Sequence, residues 1–446
     1  MTSRLLLLAL TVPALAAPPE PKFKHVTIDP AIQIGYGVAV ADVDGDKAPD
    51  VLLADKKQFV WYRNPGAAEV GDAAAWTKHI LAENLTEKDN VCIAAQDLDG
   101  DGKCEVAVGG EWNPGDTEKS GAVFYLIAPA DRTQRWEAVK FPAVEPTTHR
   151  MKWIRLEAGV EGPGSQVSGS TAKPETGNPK PETWGLVVVP LHGRGNKNGE
   201  GAPVKVLCYR KPADVRGEWK AEIVDESMHM THNFDIIPDA TRPSLVIAGR
   251  EGMRHVSRQG DGWKADTDHF PQRSFTPDSK GAGEIRRGAT VARLPAPPFY
   301  SAIEVPKPKR KQGEFFCTIE PMHGTSLVAY VTVEGRQGVR QFLHPVLTDQ
   351  LADGHALACG DVLGAGSDQI VVGWRGNPQK PRPVGIKLFT PLDDTGDQWR
   401  ESFIDDNEMA CEDLVLADLN ADGKLDVVAS GRATKNLKIY LNETGR

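Results

Sequence analysis

The sequence predicts an all-β fold, a seven-bladed β-propeller with calcium-binding loops, and three observations carry that prediction. One acidic pattern occurs three times: Asp42-Val-Asp44-Gly-Asp46 with Asp50, Asp97-Leu-Asp99-Gly-Asp101 with Glu105, and Asp418-Leu-Asn420-Ala-Asp422 with Asp426. Each copy lies between two short, β-branched apolar runs bounded by Gly and Asp, which read as buried strands rather than helices. Tryptophan recurs in similar contexts at Trp76, Trp136, Trp219, Trp263 and Trp399, as one outer strand per repeat would place it.

Taken in chain order, the first element is a leader. Arg4 precedes the apolar run Leu5 to Val12, and Ala14-Leu15-Ala16 offers a small-x-small cleavage site. Residues 1–16 therefore read as a signal peptide, and the mature chain, 17–446, as secreted or periplasmic. Position 17 is alanine rather than the cysteine of a lipid anchor, and no later apolar run is long enough to span a bilayer. Strand pairs then follow at Gly37 to Ala41 with Val51 to Ala54, and Val91 to Ala95 with Val106 to Val108. Weaker copies are Met151 to Ile154 with Trp184 to Pro190, Phe234 to Ile237 with Ser244 to Ala248, Gly288 to Leu294 with Phe315 to Ile319, and Leu357 to Gly360 with Gln369 to Gly373. The seventh is Leu414 to Ala417 with Val427 to Ala429. About 430 residues over seven units gives roughly 61 each, the size of a four-stranded blade with its loops. Closing the ring removes the exposed edges of a linear array, so 17–446 reads as one domain. The Gly, Pro, Ser and Thr-rich stretch within 159–183 and the basic run Lys307 to Gln312 read as surface insertions.

Composition agrees. The 44 glycines and 33 prolines among 446 residues belong to turns, while 40% hydrophobic and 25% charged residues exclude a disordered or collagen-like chain. A formal charge of −9 argues against nucleic acid as a partner. The cysteines Cys92, Cys104, Cys208, Cys317, Cys359 and Cys411 show no zinc-like spacing and read as buried small hydrophobes.

The acidic loops place oxygen donors at alternate positions of a tight turn plus a returning carboxylate. Such a set suits a hard cation, and it makes Asp42, Asp44, Asp46, Asp50, Asp97, Asp99, Asp101, Glu105, Asp418, Asn420, Asp422 and Asp426 the predicted ligands of structural calcium. Thirteen residues after the outer-strand aromatic the chain repeatedly places a polar side chain where the innermost strand begins: Asp89, His149, His232, His355 and Glu412. The second strand of each blade ends beside that point, and those ends carry Trp112, His192, Arg194, Arg250, Glu251, Glu320, His323, Trp374, Arg375 and Arg432. Histidines, arginines and carboxylates should therefore meet at one mouth of the ring, opposite the calcium loops. Imidazoles with a carboxylate can hold a divalent transition metal such as zinc or manganese, or move protons; the arginines can neutralise an anionic sugar or pair with Glu251, Glu320 and Glu412.

The acidic loops resemble FG-GAP/VCBS propeller repeats. Val60-Trp61-Tyr62-Arg63-Asn64-Pro65, Thr148-His149-Arg150, Thr231-His232-Asn233-Phe234, Gly281-Ala282-Gly283-Glu284-Ile285-Arg286, Ile319-Glu320-Pro321-Met322-His323-Gly324 and Gly431-Arg432-Ala433-Thr434 together resemble the propeller domain of aldos-2-ulose dehydratase and its bacterial relatives. That resemblance implies a lyase removing water, or another leaving group, β to the carbonyl of a keto-sugar. It also implies His149, His232, His323 and His355 as metal ligands or acid–base groups, Glu320 as a base or further ligand, and Arg150 as an oxyanion partner. Two further readings are open: a polysaccharide lyase acting on uronic acids, and a non-catalytic calcium-stabilised propeller that binds a glycan or a protein.

Overall fold

The computed structural model describes residues 18–157, 183–237, 242–260, 262–265, 281–290, 313–334, 340–343, 345–376, 382–392 and 398–445. The leader, the basic run Lys307 to Gln312 and all of the 159–183 insertion except Thr183 lie outside them. Within them the chain forms seven antiparallel sheets, and the only helical element is one turn at Ala73–Ala75.

Blade I consists of Gly37–Ala41, Asp50–Ala54, Gln58–Arg63 and Thr77–Glu83, paired in that order from the axis outward. Blade II follows with Cys92–Gln96, Glu105–Gly110, Ala122–Ile127 and Glu137–Lys140, and blade III with Thr148–Glu157, Thr183–Pro190, Val206–Arg210 and Lys220–Asp225. Thr231–Ile237, Ser244–Gly249, Gly252–Gln259 and Gly262–Ala265 make blade IV. Blade V is Glu284–Thr290, Gly313–Glu320, Ser326–Glu334 and Arg340–Leu343, with Val346–Thr348 also on its third strand. Blade VI is Gly354–Gly360, Gln369–Trp374, Gly385–Pro391 and Trp399–Asp406. Blade VII takes Cys411–Ala417, Asp426–Gly431 and Leu437–Asn442 from the end of the chain and its outermost strand, Phe23–Asp29, from the beginning. The innermost strand of each blade contacts that of the next, and blade VII returns to blade I, so the ring is closed.

Both faces of every sheet are covered by neighbours, which explains why the second strands read as continuous apolar runs rather than alternating ones. Asp50–Ala54 and Ser244–Gly249 are buried along their whole length. Apolar clusters fill the gaps between blades; Leu52, Trp61, Val106 and Phe124, for instance, pack blade I on blade II.

Two predicted elements shift. The described innermost strand of blade V is Glu284–Thr290 and so begins four residues before the predicted Gly288, because it opens with charged Arg286 and Arg287 rather than with the apolar run; positions 291–294 of the predicted strand lie outside the described residues. Trp76, Trp136 and Trp219 stand immediately before the outer strands rather than inside them, each buried with its indole N–H donating to a loop carbonyl (of Val70, Arg132 and Val215). All six cysteines are free thiols and five are buried; Cys317 and Cys359 bring their sulfurs to 3.3 Å across the blade V to blade VI gap. Among the described residues no helix is long and apolar enough to cross a membrane.

Candidate metal centre at the propeller axis

Local backbone irregularity aims the key side chains. Thr148 pairs with Pro190 and Arg150 with Val189, leaving His149 without a partner in the ladder. The same bulge frees His232 and Asn233 in blade IV, His355 in blade VI and Glu412 in blade VII. An extra residue bends a strand and redirects its side chain, and here four blades use it at the same place to point toward the axis.

The imidazoles crowd together in tilted and edge-on contacts: ring centroids lie 4.5 Å apart for His149 and His232, 4.6 Å for His232 and His323, and 4.9 Å for His323 and His355. Each bulged histidine spends Nδ1 on an oxygen: His149 on the His232 carbonyl at 2.8 Å, His232 on Glu284 Oε1 at 3.0 Å, and His355 on the Glu412 carbonyl at 2.5 Å. An Nδ1–H donor fixes the tautomer and makes Nε2 the acceptor nitrogen, the arrangement found for metal-ligating histidines. One nitrogen each from His232, His323 and His355 falls within 4.8 Å of the others, and the Nε2 atoms of His232 and His323 are 2.7 Å apart. His149 stands beside this trio, its Nε2 facing Arg150 Nη1 at 3.2 Å and its ring stacked on Trp112.

Burial is the main reason that all four imidazoles titrate well below the ordinary histidine range, with the arginine charges and the neighbouring imidazoles adding to it. Neutral, tautomer-fixed imidazoles are the protonation state a metal needs. Burial also raises Glu284, against the pull of Arg286. Asp353 lies at the rim, with Oδ1 buried, without a hydrogen-bond partner and 3.9 Å from His323 Nδ1. This donor set of three imidazoles with adjoining carboxylates fits zinc or manganese.

The remaining predicted residues divide. Arg375 and Arg432 converge on Glu412, at 2.9 Å and 3.0 Å, and Arg375 Nε also reaches Asp353 at 3.1 Å. Glu320, predicted as base or ligand, accepts instead from Thr318 at 2.7 Å and from the Tyr330 hydroxyl, both on its own blade. The carboxylate on His232 is Glu284, whose other oxygen accepts from Asn233 Nδ2 at 2.6 Å. Arg194, Arg250 and Glu251 turn away from the axis to the Glu118 carbonyl, the Asn198 carbonyl and His229. Glu284 was missed because thirteen residues after Trp263, the blade IV aromatic, the count lands on Thr276, eight residues short; its signal is its place as the first residue of blade V's innermost strand.

At the other end of the innermost strands, the acidic loops share one hydrogen-bond scheme. The first Asp accepts two loop amides: Asp42 from Gly45 and Lys47, Asp97 from Gly100 and Gly102, Asp418 from Asp422 and Gly423. The last acidic residue accepts the amide of the second loop residue, as Asp50 does from Val43, Glu105 from Leu98 and Asp426 from Leu419. Carboxylate oxygens of Asp42, Asp44 and Asp50, and those of Asp97, Asp99 and Asp101, gather within 4.8 Å of one another. In the first loop Arg63 pairs with Asp44 at 2.8 Å and Asp46 at 3.3 Å. A fourth loop, unmarked in the sequence reading, has the same frame in blade VI: Asp361 accepts from Ala365 and Gly366, and Gln369 from Leu363.

Residues 27–108 match the family model of the FG-GAP-like repeat. Among solved structures, BBS1N in complex with ARL6DN, soaked with mercury, is 11% identical at a TM-score of 0.48, covering 95% of this chain and 96% of that one. The GH93 α-L-arabinofuranosidase of Fusarium graminearum, in complex with arabinobiose, is 12% identical at 0.40, covering 79% and 92%. No curated protein matches by sequence. With the repeat matched in blades I and II and seven four-stranded sheets closing on one axis, the chain is a seven-bladed β-propeller that carries the FG-GAP-like repeat.

Proposed function

We propose that this propeller is an exported, metal-assisted carbon–oxygen lyase that eliminates water, or another leaving group, β to the carbonyl of a keto-sugar, with calcium in its acidic loops as a structural ion. The observation that carries the reading is the axial trio His232, His323 and His355, neutral and adjoining Glu284 and Asp353. These three imidazoles would hold a zinc or manganese ion, which when bound supplies a Lewis acid for the substrate carbonyl. His149 lies outside the trio, and its Nε2 would take the proton α to that carbonyl once the Arg150 N–H it accepts has turned to the substrate. As that C–H bond breaks its electrons form the new double bond, the β carbon–oxygen bond breaks with its pair on the departing oxygen, and the proton taken by His149 is returned to that oxygen, so that water or the protonated leaving group is released. Arg150, held against His149 at 3.2 Å, faces the negative charge that develops on the carbonyl oxygen. Glu284 orients His232. The arginines do not single out a uronate polymer here, since Arg375 and Arg432 are both engaged by Glu412.

The test is enone absorbance on incubation with 1,5-anhydrofructose or an osone, alongside metal analysis of the purified protein. Turnover that tracks zinc or manganese content and falls at least a hundredfold in His232→Ala and His323→Ala is expected. Unchanged turnover in both variants, or calcium as the sole bound metal, would remove the proposal.

A further inference from the structure

Two of the six cysteines meet where blades V and VI face each other. Cys317 lies in the second strand of blade V, Gly313–Glu320, and Cys359 in the innermost strand of blade VI, Gly354–Gly360; their sulfurs are 3.3 Å apart. Three of the other cysteines have a plain packing role. The sulfurs of Cys92, Cys208 and Cys411 lie over Gly109, Gly185 and Gly373, in the space a Cβ at those glycines would take. Cys317 and Cys359 are set against each other instead. Bonded sulfurs are about 2.05 Å apart, so closing the pair takes a movement of roughly 1.3 Å, within reach of side-chain rotation.

Access is the second observation. Cys317 is fully buried, but Cys359 is partly exposed and forms part of the wall of a cavity of about 510 Å³ that runs along the axis between the innermost strands. An oxidant therefore has a path to Cys359 and, through it, to Cys317. Burial and the neighbouring thiol hold Cys359 well above the ordinary cysteine range. Little of it is thiolate at neutral pH in the folded chain, so exchange is faster before the two blades close on each other.

We infer that Cys317 and Cys359 are a modification site, where oxidation forms a disulfide that ties blade V to blade VI and stabilises their interface. The oxidant is itself a disulfide, that of glutathione or of a thiol–disulfide oxidoreductase. The Cys359 thiolate attacks one of its sulfurs and expels the other as a thiolate; the Cys317 thiolate then displaces the first sulfur from the mixed disulfide. Two electrons pass to the oxidant, and the two thiol protons end on its released sulfurs. The cross-link spans the gap between the blades that supply His323 and His355. It rests on the reading above only for export to an oxidising compartment.

The experiment is thiol mapping of the full chain. Reduced protein is exposed to glutathione disulfide at about pH 8.5, near the free thiol's own pKa, either folded or while being diluted out of urea. It is then denatured, alkylated with iodoacetamide and digested for mass spectrometry. Four of the six cysteines should be alkylated, and one peptide pair should be joined through Cys317 and Cys359. The oxidised protein should melt roughly 2–5 °C above the reduced one. Cys317→Ser and Cys359→Ser should each abolish both the linked pair and that difference. Six alkylated cysteines by both routes, a glutathione adduct on Cys359 without the linked pair, or equal melting of oxidised and reduced parent would each overturn the inference. Elimination activity in a chain that keeps six thiols by both routes would overturn this inference alone. A cross-linked chain without elimination activity would overturn the lyase reading and leave this one standing.

Discussion

At the scale of single residues, the axial site depends on which imidazole nitrogen carries the proton. His232 takes its tautomer from Glu284. Glu284→Gln keeps a hydrogen-bonding group of the same size but offers an amide where a carboxylate stood, and outer partners of this kind are worth 10 to 100-fold in metal affinity, roughly. Competition with a zinc chelator should show about that loss for Glu284→Gln, and no loss for Glu320→Gln, whose carboxylate serves Thr318 and Tyr330. Equal losses in the two variants would return Glu320 to the site. Much of this cluster was legible in the sequence because the bulge repeats: His149, His232, His355 and Glu412 share one position in four blades, and a repeat can be counted. Glu284 and Asp353 were not legible, since an interaction between neighbouring blades leaves no mark within either repeat. Nor does a local pattern show that a carboxylate such as Glu320 will turn toward a tyrosine on the neighbouring strand.

The acidic loop is the element in which shape and cation binding separate. Blade VI keeps the shaping acceptors, Asp361 and Gln369, yet has Leu363 and Ala365 in the two middle positions where the other loops carry oxygen donors. The returning side chain therefore has a role that needs no ion: it satisfies a buried amide. Replacing Gln369 with Ala strips the Leu363 N–H of its acceptor and should cost about 1–3 kcal/mol, measured as the same drop in denaturant midpoint with calcium or with chelator. Asp99→Ala should behave in the opposite way. It removes a side chain from the oxygen cluster of blade II, leaves Glu105 on Leu98, and should abolish that loop's share of the calcium-dependent rise in melting temperature while changing the calcium-free protein little. The spacing of the acidic residues made three of these loops visible. The fourth escaped because a glutamine and a single aspartate are too common to register as a motif.

For the whole molecule, stability rests on seven similar interfaces, one of which joins the two ends of the chain. Asp29, in the outer strand of blade VII, accepts from the Tyr62 hydroxyl at 2.6 Å and from Lys78 at 2.9 Å, both in blade I. Burial works against its charge, but these hydrogen bonds and the lysine prevail and hold its carboxyl below the ordinary aspartate range. A depressed carboxylate contributes stability that is present above the unfolded value near 3.8 and lost as pH falls through the folded one. Hydrogen exchange of residues 23–29 should therefore accelerate, relative to the other outer strands, between about pH 4 and pH 2. Asp29→Asn should remove that pH dependence; exchange that still tracks pH in the variant would assign the effect to another group.

The shared blade also fixes an order of events in time. The strand Phe23–Asp29 is made about 400 residues ahead of its partner Leu437–Asn442. At about 5–20 residues per second, the first strand waits on the order of half a minute to a minute for a neighbour. Through that interval blades can form one after another, each covering the previous, but the circle stays open and one hydrogen-bonding edge stays bare. Anything that binds a bare strand, whether a chaperone or another copy of the nascent chain, competes with ring closure during that wait and has no foothold once the last strand arrives.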